Sequence, residues 1–286
     1  MQIYSSPLIV MLSSLLMISH QAVANTQPFV YPQESESESE SEQSADFVPS
    51  YAASLTFGYD SNVYNKNDYR SERKLWWNST LSHTFAPHYS VSLSTGAYRP
   101  LQQERGDFFT DTALALHRQS QFTFGETGRI GWQAQFTLPT SEFSRKDKLT
   151  TALRLSTPIQ WQAVNIDWQF TPRLRKNFHR YETMGERSLT EWIYGFHFLG
   201  SYQWRDFTLS SSVLGGNTIS YAGTRRNSFD YAGDVNLSYR VNQHVAFNVG
   251  ASNSGVYYDA AQGTLGNIDL FDADRVIYSA SISLNY

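Results

Sequence analysis

The most constraining feature of this sequence is an alternation of apolar and polar residues that recurs along most of the chain. In its first occurrence, the apolar residues Tyr51, Leu55 and Phe57 occupy odd-numbered positions. The polar residues Ser54 and Thr56 occupy even-numbered positions, so the two sets have opposite parity. Because successive side chains of a β-strand point to opposite faces, this pattern predicts a strand with one apolar and one polar face. Twelve such segments are found, at 51–60, 73–85, 89–99, 108–125, 129–138, 149–161, 165–175, 189–204, 207–217, 228–241, 245–253 and 274–286.

The connections between these segments alternate between long and short. Turns such as 126–128 and 205–206 are short, whereas intervening connections such as 61–72 are long. Bacterial outer-membrane barrels have an even number of antiparallel strands, with short turns at one end and long loops at the other. We therefore predict an all-β, antiparallel transmembrane β-barrel of about 12 strands over 51–286. Barrels of 10 or 14 strands are alternatives, because 108–125 is long enough to be divided.

The aromatic content agrees with a barrel. The chain has 18 Tyr, 18 Phe and 7 Trp, yet its mean hydropathy of -0.43 is polar, as expected when strands separate lipid from a wet lumen. An aromatic core of a soluble protein is the alternative, but it does not explain why the rings cluster at strand ends. We predict two aromatic girdles. The first, at the short turns, comprises Phe85, Tyr89, Phe124, Trp161, Tyr202, Trp204, Phe207, Tyr239, Phe247 and Tyr286, and the second comprises Tyr59, Trp77, Phe108, Trp192, Phe229 and Tyr231.

The pattern is irregular in one segment. Within 108–125, Arg118 and Ser120 fall on the outward parity, where apolar residues are expected. A β-bulge, or a strand that extends below the membrane, would accommodate them.

The first 50 residues differ in composition from the barrel. An apolar stretch, Leu8–Ile18, followed by Ala22-Val23-Ala24, predicts a signal peptide at 1–24, and a Ser/Glu-rich acidic segment predicts a disordered linker at 25–50. The linker holds six of the 26 acidic residues and no basic ones, so 20 acidic and 22 basic residues remain in 51–286, a net charge of +2. The folded part is therefore close to neutral.

Several classes of protein are excluded. The chain has no cysteine, which excludes disulfides and thiolate metal sites. Past residue 24 it has no apolar run of about 18 residues, the length that a membrane-spanning helix needs. No nucleotide or metal motif is present, so no cofactor is predicted, and a near-neutral barrel gives no reason to expect nucleic acid as a partner.

Charged residues on the inward parity suggest a function. Arginines on several strands fall toward the long-loop half of the lumen and oppose acidic residues of other strands. Such rows would favour the passage of small hydrophilic or anionic solutes through a narrow channel. Alternatively, the charges pair with one another and fill the lumen. The candidate pore-lining residues are Arg154, Arg173, Arg175, Arg275, Asp111, Glu191, Asp230 and Asp234.

Other functions remain open. A structural or surface-interaction barrel would act through external loops such as 61–72, 176–188 and 254–273. An outer-membrane hydrolase with a rim site is the third alternative. No catalytic residues are predicted. His117, His197 and His244 have no Ser two positions away, Ser82 points to the other face from its neighbour His83, and one loop histidine, His179, could approach the predicted rim.

Two short segments resemble known families. Residues 279–286 resemble the C-terminal signal of outer-membrane proteins, with Leu284 and Tyr286 as the apolar and terminal aromatic positions and Ser281 where glycine is usual. Residues 58–63 are similar to an opening motif of proteobacterial beta-barrel porins and of surface lipoprotein assembly modifiers. These resemblances imply a Gram-negative outer-membrane protein that contacts lipids and lipopolysaccharide. The barrel-assembly machinery would insert it with the linker and the C-terminus in the periplasm.

Overall fold

The computed structural model describes residues 48–102, 106–226, 228–258 and 275–286. The predicted signal peptide at 1–24 and residues 25–47 of the predicted linker lie outside the described residues, as does most of the last external loop.

The described chain consists almost entirely of strands, with one short helix. Most strands end close to the predicted limits, but several extend further at their long-loop ends, where polar residues interrupt the alternation. The strands are β1 (Ser50–Asn62), β2 (Arg73–Ala86), β3 (Tyr89–Pro100), β4 (Phe108–Phe109), β5 (Thr112–Phe124), β6 (Gly128–Leu138), β7 (Leu149–Ser156), β8 (Ile159–Ala163), β9 (Ile166–His179), β10 (Thr183–Met184), β11 (Arg187–Ser188), β12 (Thr190–Trp204), β13 (Phe207–Ser220), β14 (Ser228–Arg240), β15 (Val245–Tyr258) and β16 (Ile277–Asn285), and the helix is α1 (Glu142–Lys146).

The long strands form one closed antiparallel barrel. Each pairs with its neighbours in the chain, and β1 pairs with β16, with Phe57 opposite Ile282. The two-residue strands β10 and β11 form a separate pair, whereas β4 continues the pairing of β5 with β3 and belongs to the same wall strand as β5. β7 and β8 act as one strand interrupted at Pro158, whose missing N–H cannot join a ladder. The wall therefore has twelve strands, which confirms the predicted fold and its preferred strand number.

The two faces of the wall are inverted relative to a soluble protein. Outward side chains such as Phe57, Leu81 and Val249 are about half exposed, at 50%, 55% and 54%. Inward polar side chains are covered: Ser283 is 2% exposed and its Oγ lies 3.0 Å from Thr56 Oγ1. An apolar exterior around a hydrogen-bonded polar interior requires an apolar medium outside, as in a lipid bilayer. No helix in the described ranges is long and apolar enough to span a membrane.

The irregular segment contains a β-bulge, one of its two predicted explanations, although the bulge follows Arg118 and leaves it on the outward face. The pairing of β5 with β6 changes register between Arg118 and Phe122, and Ser120 between them has a positive φ of 49°. The extra residues are absorbed there without changing the outward parity of Phe122, which is 62% exposed. The Arg118 guanidinium stays outward and lies 5.2 Å from the centre of the Tyr89 ring, a cation–π contact beside a short turn.

Residues 58–63 have a structural explanation. Asp60 faces inward at the end of β1 and accepts a hydrogen bond of 2.7 Å from Trp76 Nε1. Its carboxylate also forms an ion pair with Lys74 Nζ at 3.3 Å. Gly58 lies opposite Trp76, and the indole covers its backbone so closely that any Cβ would overlap the ring. Gly58 leaves room for the Trp76 indole on the inner wall, and Asp60 fixes its orientation, at the point where β1 and β2 approach the external loop.

Candidate functional site

Three arginines form a cluster on the inner wall. Arg154 of β7 lies directly opposite Arg175 of β9, and Arg173 of β9 lies opposite Ser156. Arg173 and Arg175 lie two and four residues along β9 from buried Thr171, so they face the lumen as it does. Arg154 faces the lumen as well, because it lies directly opposite Arg175. All three side chains are partly exposed. The guanidiniums are close enough to repel one another. Like charges on directly opposed positions destabilise a sheet. A negative charge from another strand, a loop or a bound anion would therefore stabilise this arrangement.

The acidic residues expected to oppose these arginines are bonded elsewhere. None of the described carboxylates lies within 4.0 Å of a guanidinium nitrogen of Arg154, Arg173 or Arg175. Asp111 interacts electrostatically with Arg175 but forms no ion pair with it. The partners are Ser141 N (2.9 Å) and Ser144 Oγ (2.5 Å) for Asp111, Arg226 Nη1 (3.2 Å) for Asp230, Ser212 Oγ for Asp234 and Lys176 Nζ (3.2 Å) for Glu191.

Glu191 differs most from its predicted place. The pairing of β12 with β13 shifts register between Thr190 and Trp192, so strict alternation does not hold at Glu191. Its carboxylate pairs with Lys176, whose ammonium lies 4.7 Å from the centre of the Trp192 ring. Glu191 therefore lies beside Trp192 of the second predicted aromatic girdle and is not part of the arginine cluster.

Arg275 is also separate from the cluster. It lies just before β16 begins at Ile277 and is exposed. In the ring of strands, four strands lie between β9 and β16 on one side, and five lie between β16 and β7 on the other. The structure therefore brings together three of the four predicted arginines.

The wall across the lumen from the arginines is lined with hydroxyl groups. On β16 and β1, Ser281, Ser283 and Thr56 face inward, and Asn248 of β15 donates to both serines at 3.3 Å and 3.0 Å. These groups are uncharged and hydrogen-bonded to one another. One side of the lumen is thus cationic, and the opposite side is neutral and polar.

The sequence did not indicate a serine–histidine pair in the lumen. Ser92 Oγ lies 2.8 Å from His117 Nε2, because the register of β3 with β5 makes the two residues diagonal neighbours. Only the three-dimensional pairing of strands could reveal this contact. No described side chain engages the other ring nitrogen of His117, so the orienting group of a catalytic triad is not part of the described structure.

At the predicted rim, the described residues do not bring His179 together with the predicted acidic residues. His179 Nδ1 lies 3.3 Å from Tyr221 Oη, and the rim acids have the partners given above. Within the described ranges, no group of three or more His, Asp or Glu side chains is arranged to hold a metal ion.

Several charges in the described parts of the external loops are paired. Hydrogen bonds from Arg70, Arg99 and Lys146 lower the pKa values of Asp68, Asp107 and Glu142, respectively. These carboxylates therefore stay ionised and matched by a cation well below neutral pH. This pairing contrasts with Arg154, Arg173 and Arg175, which form no ion pair with a described carboxylate.

Comparison with known proteins identifies the fold. No family model and no curated protein matches the chain. Among solved structures, the NanC porin is 11% identical and has a TM-score of 0.52, and the match covers 82% of this chain and 98% of that one. An outer membrane channel from Pseudomonas putida F1 is 10% identical and has a TM-score of 0.56, over 90% of this chain and 100% of that one. The chain has the fold of outer-membrane porins.

Proposed function

We propose that this protein is a narrow outer-membrane channel through which small hydrophilic solutes diffuse passively, with a preference for anions. The observation that carries the proposal is the arginine cluster of β7 and β9 without a carboxylate partner among the described residues. The predicted alternative, in which the lumen charges neutralise one another, is not supported by these contacts. The acids bond to serines, to a lysine and to a loop arginine instead.

The width of the barrel is compatible with a selective passage. Eight-stranded barrels are filled by side chains and sixteen-stranded porins contain an aqueous channel, so twelve strands leave an intermediate interior. In such a lumen the side chains decide what passes. Arg154, Arg173 and Arg175 attract a hydrated anion and repel a cation, and the hydroxyl groups opposite replace part of the anion's hydration shell.

The orientation follows the arrangement of the turns. Short turns of outer-membrane barrels face the periplasm, and long loops face the outside. By this rule the proposed orientation has the N-terminal linker and the C-terminus in the periplasm and the arginine cluster in the external half of the lumen. The apolar exterior is then in contact with membrane lipids and lipopolysaccharide.

Single-channel recording tests whether the lumen conducts. The protein is refolded in detergent, and its heat-modifiable migration on a gel confirms the folded barrel before reconstitution into a planar bilayer. We expect discrete conductance steps in KCl. A correctly folded protein that gives no steps would overturn the channel and would favour a barrel that acts through its external loops.

A further inference from the structure

His197 is an unusual residue of the inner wall. It faces the lumen from the middle of β12, in a row with Thr171 of β9 and Leu214 of β13. It is only 1% exposed, and neither ring nitrogen has a hydrogen-bond partner among the described residues. A buried polar group left unpaired destabilises the folded protein, so such a group usually has a role that offsets this cost.

The surroundings of His197 favour a small ligand. Arg173 lies two residues along β9 from Thr171, the residue opposite His197, so Arg173 and His197 are diagonal neighbours on the inner wall. Gly195 lies opposite Arg173, and Gly216 of β13 lies opposite Gly195. These two positions carry no side chain. The inner wall beside Arg173, on the long-loop side of His197, is therefore formed by backbone alone.

The local charge indicates the class of ligand. Arg154, Arg173 and Arg175 contribute three positive charges within one patch. Asp111 acts electrostatically on Arg175 and contributes one negative charge, and it is held by two hydrogen bonds from the segment that begins α1. The patch therefore has an excess of about two positive charges, which one doubly charged anion would balance. Arginines bind such oxyanions through paired, charge-assisted hydrogen bonds.

We propose that Arg154, Arg173 and His197 form a binding site for a compact, doubly charged oxyanion, of which phosphate and sulfate are examples. The arginines supply charge and hydrogen bonds, and the imidazole N–H, which a neutral histidine has in either tautomer, donates one more bond to an oxygen. A monocarboxylate has half the charge and fewer oxygens, so it should bind more weakly. The proposal rests on the proposed channel function only for access to the lumen.

Block of the chloride current by sulfate tests the site in the complete barrel. Sodium sulfate, added at constant ionic strength, should lower the chloride conductance saturably, whereas sodium acetate should have a much weaker effect. In His197→Leu, the sulfate concentration for half block should rise about tenfold, as for the loss of one hydrogen bond to a charged group. Arg173→Gln should raise it at least as much. His117→Leu is the matched control, because His117 lies in the same lumen and is bonded to Ser92; this variant should behave as the parent protein.

Calorimetric titration of the refolded protein with sulfate separates this proposal from the channel proposal. Saturable binding that His197→Leu and Arg173→Gln both weaken supports the site, even in a barrel that does not conduct. In that case only the channel function fails. The site itself is overturned if sulfate does not bind, if acetate binds as tightly, or if the His197→Leu and Arg173→Gln variants bind sulfate as the parent protein does. Heat-modifiable migration shows that each variant is folded, and Arg173→Gln alone decides if His197→Leu does not fold.

Discussion

Replacing Arg154, Arg173 and Arg175 together by glutamine should abolish the anion preference of the channel. A unit charge about 8 Å from a permeating ion, at an effective dielectric constant of about 40, contributes about 1 kcal/mol. Salt screens part of this, so we expect the permeability ratio of chloride to potassium to fall about tenfold. The measurement is the reversal potential in a planar bilayer under a KCl gradient, for the variant and the parent protein.

A control for this experiment lies on the other face of the wall. Arg118 has the outward parity and its guanidinium contacts the Tyr89 ring, so Arg118→Gln removes one arginine without altering the lumen. Arg118→Gln should leave the reversal potential unchanged, whereas Arg173→Gln alone should reduce it. If the triple variant keeps the ratio of the parent protein, the arginine cluster does not line the path of the ions.

Replacing Asp60 by alanine should have the largest effect on stability. The Asp60 side chain is 4% exposed and pairs with Lys74, whose side chain is 23% exposed. Removing one partner of a buried ion pair leaves the other charge uncompensated, which costs about 3 kcal/mol. Trp76 loses its acceptor as well. The free energy of unfolding in guanidinium chloride, followed by tryptophan fluorescence of the refolded protein, should fall accordingly.

Two further variants identify the cause. Asp60→Ala combined with Lys74→Met should be more stable than Asp60→Ala alone, because the unpaired ammonium is removed. Asp68→Ala is the matched control: it breaks the pair with Arg70 in an exposed loop, where water replaces the lost contacts, and should have little effect. Equal stability of Asp60→Ala and Asp68→Ala would show that the buried pair does not contribute as described.

The sequence was sufficient for the fold because period-two alternation determines which face of each strand is apolar. It also located the irregular segment correctly: a bulge lies between Arg118 and Phe122, although Arg118 itself stays on the outward face. The break at Pro158 was missed, because the alternation continues across it from β7 into β8. Helix α1 was missed because its five residues are too few to show helical periodicity.

The contacts of the candidate site were harder to predict. Alternation assigned Arg154, Arg173 and Arg175 to the lumen, but it could not show that two of them face each other across β7 and β9. That contact depends on the register between strands, which backbone pairing and turn geometry set. The Ser92–His117 contact depends on register in the same way, and the partner of Glu191 depends on a register shift in its own strand.

The sign of the reversal potential of the unmodified protein tests the central claim most directly. The refolded barrel is placed in a planar bilayer between two KCl concentrations, and the zero-current voltage is read from single-channel currents. An anion-preferring lumen shifts this voltage toward the equilibrium potential of chloride, which is the result we expect. A shift toward the equilibrium potential of potassium would contradict the account.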